Sequence, residues 1–472
     1  MSQPPTPEPG APLARRASAT TKGSARSAGA TGSKPSKRRK RPAEPSDDER
    51  GGAQMHEHRL RNGLRVLIAE RHADPVVAVL LYYRVGALNE SAERAGVSHF
   101  LEHMMFKGSK RFGKGEVDRM CTELGGSNNA FTGYDHTAYW FEFASDRWER
   151  ALEIEADRMR NLTLDADEFA SERDVVLEEL SMGEDDPWRV LARRVEQKLC
   201  ERHPYGRPII GYRDTLEALD VDAMRDHYQS FYHPGNATLI VAGDVRPKAA
   251  LKAIREHLGD IPAGPKRESV DPPRPPMVEV YGEVRLSMNW PDEGQRLLML
   301  WPGAACGGGD DYALDYVVTA LTGGRNARLQ RQLVHDSGLA VYVTTSNDAR
   351  VEGGFFWLMA EASPGVAPED LERAIDAALE SLVSEGLTDE EYQRAQAMLL
   401  ASEAYDSETV SGLAEELGGW AVDADWRHAL DRGYRHGQVD PDQIREVAAR
   451  LLDRDRRVVG WCLPEAANGA ES

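Results

Sequence analysis

From Met55 onward the chain reads as one pattern written twice, and that repetition limits its fold more than any other feature. The first copy opens at 58–68, where Asn62-Gly63 marks a two-residue hairpin turn between apolar segments. A β-rich run over 75–83 follows, then a helical stretch around 99–103, a strand over 128–143 and helices to about 230. An apolar strand at 237–242 closes the copy. The second copy has strands near 277–301, helices from about 310 to 335 and strands near 340–361. Long helices then run to about 453, and a strand at 457–462 ends it. Between the copies, 263–276 holds five prolines among charged residues, as a semi-rigid linker does. A chain of 472 residues exceeds what one hydrophobic core serves. The economical expectation is an α+β fold of two tandem homologous domains, each a mostly antiparallel sheet packed with helices. The boundaries are a tail at 1–54, domains at 55–262 and 277–465, the linker at 263–276, and a short tail at 466–472.

Within the first copy stands His99-Phe100-Leu101-Glu102-His103. On a helix of 3.6 residues per turn, positions 99, 102 and 103 share a face. Two neutral imidazoles side by side make half of a zinc site, and a neighbouring carboxylate can deprotonate water held there. The order H-x-x-E-H inverts the commoner H-E-x-x-H. In the second copy, 311–316 (DYALDY) takes the same place without a histidine, so one metal site per chain is expected.

A hydrolytic zinc site usually has three protein ligands and an open fourth position. The segment 164–181 reads as a helix: Asp165 or Asp167 can cap it, acids fill its first turns, and Phe169, Val176 and Leu180 form an apolar stripe. Glu172 and Glu179 are two turns apart and share a face, whereas Glu178 points about 100° away. A solvated acidic face is the ordinary reading of such a helix. Its place after the histidine motif, with Glu179 lying 76 positions beyond His103, makes it the candidate source of the third ligand.

These features together resemble the pitrilysin and mitochondrial processing peptidase family of zinc endopeptidases. Further stretches carry the likeness: Gly126 to Thr132 with Asp135, Thr137 and Tyr139; His203-Pro204-Tyr205-Gly206; and Tyr232 to Asn236 followed by Gly243-Asp244. The resemblance covers roughly 55–465. It implies that His99, His103 and Glu179 bind one zinc ion, that Glu102 is the general base, and that Glu172 is a further acidic residue of the site. It implies two domains clasped around a cavity. It also implies that the strand at 129–143 lies at an edge beside the metal, where a peptide adds as one more strand, with Asn129, Ala130 and Phe131 binding substrate. Without that context, the alternation of Tyr139, Phe141 and Phe143 with Trp140 and Glu142 reads as ordinary sheet core.

One run departs from the family. Where relatives carry an Arg and a Tyr that reach the substrate, this chain has Val334 and Val341. Tyr342 falls one residue late, and in a regular strand that shift turns a side chain to the opposite face. Two accounts fit: divergence with a different substrate clamp, or a division of labour in which a zinc-less homologous subunit supplies the pair. The implied assembly is a dimer, either of two copies or with such a subunit.

The first 54 residues are different in kind, with ten Lys or Arg between Arg15 and Arg41 and few apolar residues, a composition that cannot order itself by burial. No apolar core of a secretory signal is present, so a cytoplasmic location is expected, with organellar transit or a start at Met55 as alternatives. A net charge of −20 argues against nucleic acid as partner, and no run is long and apolar enough for a membrane span. Four isolated cysteines read as free thiols. The function expected is zinc-dependent endopeptidase; the alternative is a non-catalytic scaffold of the same fold.

Overall fold

The computed structural model describes residues 52–275, 277 and 282–465; the tail expected at the start lies outside them through Gly51, as does 466–472. Strands β1 (Gln54–Arg59), β2 (Arg65–Glu70), β3 (Val76–Tyr83), β4 (Ser127–Thr132), β5 (Thr137–Ala144) and β6 (Ala237–Gly243) form a six-stranded sheet in the order β1-β2-β6-β3-β5-β4. Helices α1 (Val97–Met104), α2 (Glu116–Glu123), α3 (Glu149–Asn161), α4 (Ala166–Glu184), α5 (Pro187–Leu199), α6 (Arg213–Ala218), α7 (Val221–Phe231) and α8 (Pro247–Leu258) belong to the same half. The second half holds β7 (Val284–Trp290), β8 (Arg296–Pro302), β9 (Ala340–Asp348), β10 (Phe355–Ala362) and β11 (Val458–Pro464), in the order β7-β11-β8-β10-β9. Its helices are α9 (Gly309–Thr322), α10 (Pro368–Glu385), α11 (Asp389–Asp406), α12 (Val410–Asp423), α13 (His428–His436) and α14 (Pro441–Leu451).

The second sheet repeats the first without β1. In each half the last strand inserts between two earlier ones, parallel to one and antiparallel to the other: β6 between β2 and β3, β11 between β7 and β8. Both faces of β6 are covered, Leu239 and Val241 on one side and Ile240 and Ala242 on the other, and it is buried along its whole length, which explains its unbroken apolar run. Helix α9 follows β8 as α1 follows β3.

The expected single strand over 128–143 is a hairpin. Its aromatic alternation belongs to the inner strand β5, while Asn129 lies on β4, the sheet's last strand. Residues 133–136 form the turn between them. No Asn-Gly or Asp-Gly pair announces that turn, and for this reason the two strands read as one.

The halves meet by exchanging helices. One face of the first sheet packs on its own helices through Val66, Val79, Leu81, Phe100, Leu101, Phe169 and Val176. The other face, with Leu67, Leu80, Tyr82 and Ile240, joins a core shared with Leu413, Ala414 and Leu417 of α12. In return, Leu191, Val195 and Leu199 of α5 cover Leu298, Leu300 and Val458 of the second sheet. Each sheet therefore depends on the opposite half for one of its two faces. Cys121, Cys200 and Cys462 are buried free thiols and Cys306 is half-buried.

Candidate metal centre

Helix α1 is only eight residues long, so its position depends on how it is held. It begins at Gly96 with φ 94°, where a β-carbon would meet the carbonyl oxygen of Ile210 at 2.4 Å, and only glycine fits. The buried Glu90 carboxylate accepts the free N–H groups of Gly96 (2.8 Å) and Ser98 (2.7 Å) at the helix start. Burial pushes the Glu90 carboxyl up to about 7, against the pull of those two hydrogen bonds. Ser98 Oγ also lies 3.1 Å from Nε2 of His227 on α7. Helix α4 starts at Asp165, whose side chain accepts from the N–H groups of Asp167 and Glu168. Its buried face is Phe169, Glu172, Val176 and Leu180, and Phe100 of α1 stacks on Phe169.

This packing brings the two helices' polar side chains together. Among the described residues, His99, His103 and Glu179 are the one set of three metal-capable side chains whose ligand atoms all lie within 4.8 Å of one another. The Glu179 carboxylate is 3.8 Å from Nε2 of His99 and 3.6 Å from Nε2 of His103. Those separations are long for hydrogen bonds. They match donors sharing one ion through bonds of about 2.1 Å, and two imidazoles with a carboxylate suit zinc. Glu178 is exposed, off this face.

Glu172 contacts the imidazole of His103: its Oε1 lies 3.0 Å from Nδ1, and its other oxygen pairs with Lys107. With Nδ1–H donated to a carboxylate, Nε2 of His103 is free to act as a ligand. Burial would raise the Glu172 carboxyl, but the hydrogen bonds from His103 and Lys107 outweigh it and hold it below the usual range. Burial, with the charge of His103, lowers His99 to about 3, so its imidazole is neutral.

Glu102 lies beside this set. Burial pushes its carboxyl up to about 7, opposed by a hydrogen bond from Thr132 and the charge of His103. Thr132 Oγ1 donates to Glu102 Oε2 at 2.5 Å. Thr132 and Lys107 had no role in the sequence reading. Signals existed: Lys107 lies one turn beyond His103, and Thr132 closes the Asn-Ala-Phe-Thr stretch.

On β4, Ala130 is buried among the helices, while Phe131 points to the other face with its ring against Tyr82 and His136. Asn129 is exposed, and its Oδ1 accepts the N–H of Ala130 at 2.9 Å. The groups β4 offers outward are the backbone edge of a sheet's last strand and Asn129.

The reading of Tyr342 needs correction. Strand β9 slips register against β10: Tyr342 pairs with Glu361, but Ala340 pairs with Ala362, leaving Val341 as an extra residue. This β-bulge puts Ala340 and Val343 in the core, and Val341 and Tyr342 both outward, 54% and 45% exposed. Tyr342 is therefore on the solvent side together with Val341. Its ring lies edge-on to Trp188 of α5, 6.5 Å between centroids. Val334, in a π-helical segment (Gln330–Asp336), packs against the second-half core.

Known proteins resemble this chain over most of its length. Residues 65–213 match the family profile described as insulinase (peptidase family M16), and 218–399 match the peptidase M16 inactive domain. An uncharacterised zinc protease of Mycobacterium tuberculosis (strain H37Rv) is 30% identical over 399 residues, covering 84% of this chain and 90% of that protein. The zinc protease PqqE of Helicobacter pylori is 30% identical over 363 residues, 73% of this chain and 80% of its own. A crystal structure of a protease from Helicobacter pylori superposes with a TM-score of 0.83 at 25% identity, over 87% of this chain and all of that one. A peptidase M16 inactive domain from Pseudomonas fluorescens shares the fold, with a TM-score of 0.80 at 18% identity over 88% of this chain and 99% of its own.

Proposed function

The chain belongs to the M16 family of peptidases, the insulinase and pitrilysin group, and from that premise we propose that it is a zinc-dependent endopeptidase. Its substrates on this reading are peptides or unfolded, presequence-like segments. The observation that carries the proposal is the meeting of His99, His103 and Glu179 with Glu102 alongside. One zinc per chain would be held by those three ligands, and Glu172 would orient His103. Zinc bound there would supply a Lewis acid for the scissile carbonyl and would acidify the attacking water.

The chain's own residues do the rest. A peptide laid along β4 pairs with its free backbone edge, which holds the scissile bond extended beside α1. Glu102, fixed by Thr132, takes a proton from the attacking water as the oxygen adds to the carbonyl carbon. It then delivers that proton to the amine nitrogen as the C–N bond breaks.

We assign the catalytic domain to 55–262 and a metal-free second domain to 277–465, joined by 263–276. In α9, Asp311 and Asp315 stand where α1 has its histidines, and both are engaged by Asn347. The bulge at Val341 favours a single-chain account, with Tyr342 as the outward aromatic group, over dependence on a zinc-less sister subunit. A non-catalytic scaffold is disfavoured because ligands and base are all present. The cytoplasm remains the proposed location; among the described residues no helix is long and apolar enough to cross a membrane. The test is hydrolysis of an unfolded peptide by the purified chain, its loss on chelation and its return with added zinc.

A further inference from the structure

Asp135 and the His203-Pro204-Tyr205-Gly206 segment take no part in the chemistry above, yet both sit where the halves meet. Residues 133–136 join the edge strand β4 to β5, and Thr132, the last residue of β4, touches Glu102. Every residue of this turn is gripped. From its own half, Ala87 N–H donates to the carbonyl of Gly133 (3.2 Å) and Leu88 N–H to that of Tyr134 (2.9 Å). From the second half come further contacts. His136 Nδ1 lies 2.9 Å from Asp423 Oδ1 at the end of α12. The Arg350 guanidinium, from the turn between β9 and β10, lies 3.9 Å over the Tyr134 ring, between Tyr205 (5.0 Å) and Phe355 (4.4 Å). Arg350 is buried there, its charge met by Asp348 (2.6 Å) and Glu196 (3.4 Å).

A further contact runs through Tyr205, which is fully buried. Its hydroxyl donates to Asp135 Oδ1 at 2.7 Å and accepts the backbone N–H of Glu352 at 3.1 Å. The Glu352 side chain is held in turn by His203 (3.2 Å) and Arg274 (3.0 Å). One hydroxyl thus bridges the turn that ends β4 to the β9–β10 hairpin. Removing it leaves the half-buried Asp135 carboxylate with one long hydrogen bond, from Val351 N–H at 3.5 Å, and takes away the acceptor of the Glu352 N–H.

We propose that Tyr205 is a positioning residue: it clasps the second half's β9–β10 hairpin to the β4–β5 turn and thereby sets Thr132 against Glu102. The metal-free half then serves catalysis by holding the edge strand from behind. The inference rests on the peptidase reading for its kinetic arm only. Thr132 orients the base, so loosening the turn lowers kcat. The zinc ligands on α1 and α4 do not pass through the turn, so metal binding stays.

The experiment compares Tyr205→Phe, and Asp423→Ala on the turn's other side, with the wild-type chain. It measures hydrogen exchange over 127–137 by mass spectrometry, zinc content, and steady-state hydrolysis of one peptide. Loss of one buried tie predicts exchange about tenfold faster and kcat about tenfold lower, with KM within about twofold and zinc content unchanged. Exchange unchanged in the folded variants overturns the clasp, and so does faster exchange with kcat unchanged. If Tyr205→Phe fails to fold, Asp135→Ala, which removes the same hydrogen bond, carries the test. A wild-type chain that holds zinc but cleaves nothing would instead sink the peptidase reading, and exchange alone would then decide the clasp.

Discussion

Glu172 and His103 form a carboxylate–histidine pair, Oε1 to Nδ1 at 3.0 Å, with Lys107 closing the carboxylate's other side. The pair fixes which nitrogen of His103 faces Glu179. Partners of this kind are typically worth 10- to 100-fold in metal affinity. Glu172→Gln, which keeps size but not charge, is expected to weaken zinc binding by about tenfold or more. Competition against a chelator of known affinity reads that loss; unchanged affinity would place Glu172 outside the metal site.

Glu179 and Glu178 are adjacent in sequence, but only Glu179 faces the histidines, and Glu178 is exposed. Glu179→Gln should empty the site on dialysis while Glu178→Gln leaves one zinc per chain. Elemental analysis decides; equal loss in both would show the third ligand to be wrongly chosen.

Metal and fold should be coupled, because the proposed ligands come from two separate helices. Zinc at 100 times its dissociation constant would stabilise the folded chain by about 2.7 kcal/mol. A chelator is therefore expected to lower the melting temperature, and added zinc to restore it. Protons compete for imidazole and carboxylate ligands, so affinity should fall as pH is lowered. A melting temperature indifferent to chelation across the pH range would argue against a zinc site built from α1 and α4.

The Val341 bulge makes a prediction about assembly. If Tyr342 acts within its own chain, the wild-type chain alone is active and Tyr342→Ala loses about tenfold or more in kcat/KM. Kinetics of the isolated chain test this. A wild-type chain active only with a zinc-less homologue, and indifferent to Tyr342→Ala, would restore the division of labour.

Much of the site was legible because its signals are local. His99, Glu102 and His103 lie within one helical turn or so, and the seven-residue step from Glu172 to Glu179 selects one face of α4. The repeated strand order was legible in the same way, since the buried strands β6 and β11 end each half as apolar runs. The illegible features depend on contacts distant in sequence. Nothing near Thr132 says that it meets Glu102, thirty positions earlier, and nothing in 410–423 says that this helix covers the first half's sheet. The hairpin at 133–136 lacks a standard turn pair, and its shape comes from Asp135, Tyr134 and His136 being held by residues 70 to 290 or so positions away. The Tyr342 error had the same root: alternation assumes a regular strand, and a bulge is set by pairing with β10.

The central claim is that Glu102 is a proton carrier and not a ligand. It is tested most directly by Glu102→Gln, assayed for zinc and peptide hydrolysis in the same preparation. The account predicts one zinc per chain, as in the wild type, with hydrolysis reduced about a hundredfold or more. Hydrolysis near the wild-type rate with zinc bound would contradict it.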